Sequence, residues 1–159
     1  MRHGPSVANH AAGNAHSAAA CCNIAGNENS PAPAYVNQLV AIAAGGALGA
    51  LLRFWVASGV AVWLGKDFPY GTLIINTTGS LAIGVLYVVL LERFDGELAW
   101  RAFLIVGLLG AFTTFSTFSL ETINLLLAGE GVKALANIVL SVALCIGAAA
   151  AGVLIGRQL

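Results

Sequence analysis

In the stretch Gly110-Ala-Phe-Thr-Thr-Phe-Ser-Thr-Phe-Ser-Leu-Glu-Thr122, six threonine and serine side chains are interspersed with three phenylalanines. The stretch lies inside a longer apolar segment, Ala102 to Gly129, whose only charged residue is Glu121. Hydrocarbon offers an unpaired hydroxyl no hydrogen-bonding partner, so a cluster of this kind is expected to face other protein groups or the path of a polar solute. The stretch therefore predicts a polar site inside a membrane.

The composition of the whole chain agrees with a membrane location. Of the 159 residues, 58% are hydrophobic and only 9% are charged, and the mean hydropathy is +0.87. A soluble domain carries roughly 25% charged residues. The formal net charge is zero, which gives no basic footprint for nucleic acid. The three cysteines show neither a disulfide framework nor metal-ligand spacing, and no nucleophile–base pair indicates an enzyme.

Four hydrophobic segments follow a polar beginning. Residues 1–34 are rich in Ala, Asn, Gly, Ser, His and Pro, a composition typical of a disordered tail. Residues 35–159 are predicted to form the transmembrane domain. Each segment exceeds the roughly 20 residues that a helix needs to cross a bilayer, so the fold class is an all-α, multi-pass integral membrane protein. The segments are Val36 to Leu64, Gly71 to Leu91, Ala102 to Gly129 and Ala134 to Gly156.

The charges next to these segments give little information about orientation. An even number of spans places both termini on the same side of the membrane. Three arginines near the membrane would lie on that side, and two lysines would lie on the opposite side. A bias of three against two is too small to orient the protein by the positive-inside rule. Two interpretations remain open, namely an orientation set by the tail or a partner, and insertion in both orientations. The charges are Arg93, Arg101 and Arg157 against Lys66 and Lys133.

Polar and small residues recur at intervals of three or four, which places each set on one face of its helix. Packing is the favoured interpretation for the small residues taken singly, because hydroxyls in membrane helices often bond to their own backbone. The sets are Gly45, Gly49 and Arg53 on the first segment, Thr72, Asn76 and Ser80 on the second, Thr114, Thr117 and Glu121 on the third, and Asn137, Ser141 and Cys145 on the fourth.

Three side chains are too costly in a membrane to be explained by packing alone. A carboxamide such as that of Asn76 needs partners at this depth. Arg53 and Glu121 cost more still, and two interpretations of them remain open. Either they neutralise each other or reach the interface, or they have a functional role.

The chemistry of the third segment suits a small anion. Hydroxyls and a carboxamide donate hydrogen bonds to an anion, and the ring edges of Phe115 and Phe118 carry the positive part of the ring quadrupole. Glycine and threonine between Gly110 and Thr114 weaken helix propensity, so a break is predicted there. A break would expose backbone carbonyls, which are good ligands for sodium. These residues do not specify which anion is transported.

Three motifs together resemble the Fluc (CrcB-type) fluoride channels. They appear in order on the first three segments, and the resemblance covers essentially residues 36 to 157. The motifs are Gly45-Gly-Ala-Leu-Gly-Ala-Leu-Leu-Arg53, Gly71-Thr-Leu-Ile-Ile-Asn-Thr-Thr-Gly-Ser80 and Gly110-Ala-Phe-Thr-Thr-Phe-Ser-Thr-Phe-Ser-Leu-Glu121.

The resemblance implies a fold and a function. It implies four transmembrane helices per subunit with a broken third helix, and a dual-topology homodimer whose subunits are inserted antiparallel. Two fluoride pores would lie near the subunit interface, with a structural sodium ion at the dimer centre. Such a protein exports fluoride passively across the plasma (inner) membrane and protects the cytoplasm from fluoride toxicity.

The resemblance also assigns residues to the fluoride pore, to the sodium ion and to a supporting polar set. Three residues depart from the family pattern: Ala111 on the third helix, and Asn137 and Cys145 on the fourth. The resemblance is therefore weakest on the fourth helix. The pore residues are Asn76, Phe115, Ser116, Thr117, Phe118 and Ser141, the sodium is held by the backbone carbonyls of Gly110 and Thr113, and the supporting residues are Arg53, Thr72 and Glu121.

Two other classes of membrane protein remain as alternatives. A small four-helix multidrug exporter is expected to need an acidic residue in its first helix, whereas the first segment here holds only Arg53. A non-transporting scaffold subunit would explain the Gly and Ala packing. It would leave the polar cluster around Asn76 and the phenylalanines unexplained.

Overall fold

The computed structural model describes residues 32–93 and 98–159, with side chains over 35–90 and 98–159. Residues 1–31, most of the predicted tail, lie outside the described residues. The described residues belong to two compact units, one ending at Asn37 and one spanning Gln38 to Leu159, and every contact below lies within the second. The helices are α1 (Ala32–Leu64), α2 (Tyr70–Tyr87), a π-helix (Val88–Arg93), α3 (Leu98–Arg101), a second π-helix (Ala102–Leu109), α4 (Gly110–Phe112), α5 (Phe115–Leu127) and α6 (Gly131–Gln158).

Four helical spans are long and apolar enough to cross a membrane, as the sequence predicts. The elements of the described residues are therefore all helical, and the protein is a multi-pass membrane protein. The third span begins at Leu98, four residues before the predicted start at Ala102, and it includes Arg101 in its helix. Helical hydrogen bonds satisfy the backbone near the membrane surface, so the helix extends beyond the apolar segment. The spans are Tyr35–Leu64, Tyr70–Leu90, Leu98–Leu127 and Gly131–Gln158.

Glycines in the left-handed region end two of the spans. Gly65 (φ +79°) follows α1 and Gly129 (φ +78°) follows α5. A positive φ is cheap only for glycine, which is why this residue is common directly after a helix. Both turns are short, so consecutive spans run in opposite directions.

Small residues allow the spans to pack in two pairs. Gly45 and Gly49 of the first span lie against the backbone of Phe103 and Leu108 in the third. This is the helix contact that their spacing predicts. Residues later in the first span contact residues later in the third span, so these two spans are parallel.

The second and fourth spans form the other parallel pair. Gly84 lies against the backbone around Ala149 and Gly152, and Gly156 lies against Val85 and Val88. Val88, whose side chain Gly156 contacts, is 1% exposed.

The helical backbone of the third span is interrupted at Thr113 and Thr114. Thr113 has ψ 156° and Thr114 has φ −152°, both extended values. Helix α5 then starts at Phe115, and the Thr114 hydroxyl accepts a hydrogen bond from the Thr117 N–H at 3.3 Å. A threonine in this position caps the helix by satisfying one of its free N–H groups.

Candidate functional site

A groove of about 460 Å³ lies among the second, third and fourth spans, beside the interruption at Thr113 and Thr114. We call it the phenylalanine groove. Most of its wall is aliphatic, and the polar groups concentrate near the interruption. Its lining consists of Asn76, Gly79, Ser80, Ile83, Ile105, Leu109, Gly110, Thr113, Thr114, Phe115, Phe118, Ser141, Val142, Cys145 and Ile146.

The Asn76 carboxamide pairs with the backbone of Thr114. Its Nδ2 donates to the Thr114 carbonyl oxygen at 2.9 Å, and its Oδ1 accepts from the Thr114 N–H at 2.8 Å. A carboxamide NH₂ has two donor hydrogens, so one remains after this pairing. Asn76 therefore satisfies both backbone polar groups of a non-helical residue and still has a donor beside the groove.

The two phenylalanines predicted for the pore lie together on one face of α5. The ring centroids of Phe115 and Phe118 are 5.4 Å apart, with their planes inclined by 44°. Both line the groove, and 78% of Phe115 is exposed on the single chain. Their spacing of three residues on a helix produces this arrangement.

The hydroxyls of the capping region form a local network. Thr114 Oγ1 donates to Thr117 Oγ1 at 3.0 Å and lies 3.3 Å from Ser116 Oγ. Thr114 is buried, whereas Ser116 and Thr117 are exposed. Thr114 lines the phenylalanine groove, and Thr117 lines a different cavity described below.

On the fourth span, Ser141 lines the groove and Asn137 does not. Asn137 is 1% exposed, and its Nδ2 donates to Thr122 Oγ1 at 2.9 Å. The Ser141 hydroxyl is 3.5 Å from Asn137 Oδ1. Asn137 thus ties the fourth span to the third. Cys145 lines the groove, with its Sγ 4.0 Å from Thr77 Oγ1.

The second cavity, also about 460 Å³, lies against a neighbouring face of α5, near the turn after the first span. Thr72 Oγ1 donates to Glu121 Oε1 at 2.8 Å inside it. The other oxygen, Glu121 Oε2, is buried and has no hydrogen-bond partner among the described residues. Lys66, Thr117 and Asn124 complete the polar part of its lining.

Arg53 and Glu121 form no ion pair with each other in the part of the chain that the structure describes. Within the single chain, these two charges therefore do not neutralise each other by direct contact. Thr72 is the residue that contacts the Glu121 carboxylate instead.

Gly110 and Thr113, the predicted sodium ligands, both lie on the phenylalanine groove. The Thr113 N–H and hydroxyl both donate to the Leu109 carbonyl, each at 3.0 Å. In a continuous helix the Thr114 N–H would donate to the Gly110 carbonyl, but here it donates to Asn76. The Gly110 carbonyl is thereby released from its helical donor. Carbonyl oxygens are suitable ligands for a hard cation, so these residues fit sodium.

Sequence reasoning missed Gly79 as part of this site. A Cβ at Gly79 would overlap Thr113 Cγ2 and lie 3.4 Å from Phe112 Cδ1. Its only signal was a glycine three residues after Asn76, on the same face of the helix.

Comparison with known proteins identifies a family. Residues 40–153 match the family described as CrcB-like protein, Camphor Resistance (CrcB). A protein of Methylococcus capsulatus named fluoride-specific ion channel FluC is 53% identical over 122 residues, which are 77% of this chain and 54% of that relative. The aligned region thus spans about half of that relative's length.

Two further relatives carry the same name and are covered almost completely. The protein of Hydrogenovibrio crunogenus is 48% identical over 78% of this chain and 94% of its own length. That of Coxiella burnetii is 52% identical over 70% of this chain and 90% of its own length. The name of all three relatives denotes an ion channel and not an enzyme.

Proposed function

The chain belongs to the CrcB family, and we propose that it is a fluoride-specific ion channel of the plasma membrane. It lets fluoride leave the cell passively and so reduces fluoride toxicity in the cytoplasm. The observation that carries the proposal is the phenylalanine groove, where Asn76, Ser141 and the paired phenylalanines meet within the membrane-spanning helices. The relatives named as fluoride channels support the choice of anion.

Fluoride recognition in the groove would come from replacing the water of a strongly hydrated ion. The free hydrogen of Asn76 Nδ2 supplies one donor. The Ser141 hydroxyl would supply another by turning away from Asn137 Oδ1, to which it donates at 3.5 Å, and the edges of Phe115 and Phe118 would supply weaker positive contacts. Several weak contacts favour conduction, because an ion held too tightly at one place does not leave.

The second cavity would serve the same path on the neighbouring face of α5. Thr117 lines it, together with the hydrogen-bonded pair Thr72 and Glu121. The Thr114–Thr117 hydrogen bond of 3.0 Å joins this cavity to the groove. Ser116, 3.3 Å from Thr114 Oγ1, would add a hydroxyl at that junction. Arg53 is assigned a supporting role on the resemblance alone.

We further propose that the active form is an antiparallel, dual-topology homodimer. The small charge bias of three against two favours no single orientation. The exposed Phe115 ring leaves an aromatic wall of the groove that a second copy would cover. A homodimer would place one such groove on each subunit.

A structural sodium ion at the dimer interface is the remaining part of the proposal. The carbonyls of Gly110 and Thr113 would hold it, since the interruption releases the Gly110 carbonyl from its helical donor. When bound, sodium would supply a fixed positive charge that joins the two subunits.

Fluoride efflux from liposomes tests the channel function. Purified protein is reconstituted alone, and fluoride and chloride release are followed with ion-selective electrodes after a potassium ionophore is added. We expect rapid fluoride release and no chloride release above that of empty liposomes. A folded protein that releases no fluoride contradicts the proposal. Proton-coupled transport of a cationic dye would indicate the exporter, and absence of any flux would indicate a scaffold.

A further inference from the structure

The extended segment Thr113–Thr114 depends on a partner from another span. A backbone N–H or C=O inside a membrane must be hydrogen-bonded, and Thr114 has left the helical pattern that would satisfy it. Both of its polar groups pair with one side chain, Asn76, at 2.8 and 2.9 Å. Thr114 is also buried, so water does not substitute easily for this partner.

A second contact fixes the neighbouring residue. The methyl group of Thr113 fits against Gly79, where even a Cβ would overlap it. The Thr113 hydroxyl is held independently by the Leu109 carbonyl at 3.0 Å. Gly79 lies three residues after Asn76 on α2, so one helix face holds Thr114 by hydrogen bonds and Thr113 by shape.

We propose that Asn76 and Gly79 are positioning residues that hold the interruption of the third span in its functional geometry. Because the Thr114 N–H donates to Asn76, it does not donate to the Gly110 carbonyl as it would in a continuous helix. The same pairing fixes the peptide group between Thr113 and Thr114. Asn76 thus acts on the sodium ligands through the backbone, in addition to its predicted contact with fluoride. The sodium part of this inference rests on the proposed function.

Hydrogen–deuterium exchange tests the contact itself, independently of sodium and of flux. In the purified full chain, Asn76→Ala is expected to speed exchange of the peptide that contains Thr114 by about tenfold, since two hydrogen bonds of modest strength are lost. Peptides from α6 should keep their exchange rates. Thr78→Val is the matched control, because the Thr78 hydroxyl bonds only to Ile74 and Ile75 of its own helix.

A steric rescue tests Gly79. Sodium is expected to raise the thermal stability of the protein, and Gly79→Ala is expected to raise the sodium concentration at which half of this effect is reached. The ionic strength is kept constant by replacing sodium with an organic cation. Thr113→Ser removes the methyl group that the new Cβ would meet. The double variant Gly79→Ala/Thr113→Ser should therefore return toward the sodium response of Thr113→Ser alone. Gly147→Ala, where a Cβ meets no atom within 4 Å, is the control.

The outcomes separate the inference from the proposed function. Unchanged exchange at Thr114 in folded Asn76→Ala overturns the positioning role, whatever the sodium response. An equal rise in exchange along α6 also overturns it, because that result indicates general loosening. Should Asn76→Ala not fold, Asn76→Leu, which keeps the size of the side chain but removes the acceptor of the Thr114 N–H, must show the faster exchange. Faster exchange at Thr114 without any sodium effect on the wild type supports the positioning role and contradicts the proposed sodium ion.

Discussion

At the scale of single residues, three polar side chains of the membrane spans form hydrogen bonds between helices. Asn76 pairs with the Thr114 backbone, Asn137 with Thr122, and Glu121 with Thr72. Each bond joins the third span to the second or the fourth. Because lipid offers no alternative partner, these bonds determine how the third span is placed.

The bond between Thr72 and Glu121 predicts a loss of stability on removal of the hydroxyl. Thr72→Val keeps the shape but leaves Glu121 Oε1 without its donor, beside Oε2, which already lacks a partner among the described residues. We expect the free energy of unfolding to fall by about 0.6–1.7 kcal/mol, from the average to the largest value measured for hydrogen bonds between membrane helices. Thermal unfolding in detergent measures it.

Two comparisons control that experiment. Thr78→Val removes a hydroxyl that bonds only within its own helix, and it should change stability little. In a Glu121→Gln background, Thr72→Val should cost less, because no charged oxygen is left unpaired. An equal cost in both backgrounds would show that the carboxylate is not what Thr72 stabilises.

The paired rings predict a loss of flux without a loss of fold. Phe115→Ile combined with Phe118→Ile keeps apolar side chains at both positions but removes the two rings that line the groove. We expect fluoride efflux from liposomes to fall to the level of empty liposomes, while thermal stability stays near that of the parent chain. Leu120→Ile on the same helix is the control, and flux that survives the double change would refute the pore assignment.

At the scale of helices, glycine determines which spans approach each other. The first and third spans meet at Gly45 and Gly49, and the second and fourth meet at Gly84 and Gly152. Close backbone approach increases dispersion contacts, which are a principal source of helix association within lipid. The third span is then free to be irregular, because its neighbours fix it from two sides.

This packing predicts contrasting effects of the same substitution at two glycines of α6. Gly152→Ala places a Cβ against the Leu81 carbonyl and 3.0 Å from the Val85 nitrogen, so the second and fourth spans must separate. Overpacking of this kind costs about 1–3 kcal/mol. Gly147→Ala meets no atom within 4 Å and should be neutral or slightly stabilising, since alanine is the better helix former. Denaturant unfolding of both variants measures the difference, and equal stabilities would contradict the packing.

The sequence predicted the elements better than their partners. Apolar length alone located four spans, and the interval between Gly45 and Gly49 indicated a helix contact. The partner of Asn76 was not predictable, because helical spacing indicates which face of a helix a residue lies on but not which residues of another helix contact that face. The close approach at Gly79 depends on the side chain of Thr113 in another span, which no local pattern encodes.

At the scale of the whole molecule, few residues of the described spans are buried. In the most apolar 18 residues of each span, only 11% to 22% of the residues are buried within the single chain. Lipid can cover the apolar surface, but the polar edge of the groove needs a different neighbour. The second copy proposed above would meet that need, and the weak charge bias would allow it to insert in the opposite direction.

Dual topology predicts that the same terminus is found on both sides of one membrane. A chain with its native cysteines replaced and Leu159→Cys added is expected to react about half from outside with a membrane-impermeant maleimide, because neither orientation is favoured by the charges. Permeabilising the vesicles should label the other half.

Adding two lysines after Leu159 is the matched variant, since it should bias that end toward the cytoplasm and reduce labelling from outside. If the antiparallel dimer is the conducting form, this bias should lower fluoride flux at equal protein content. Labelling of all chains from one side, with flux intact, would exclude the antiparallel arrangement.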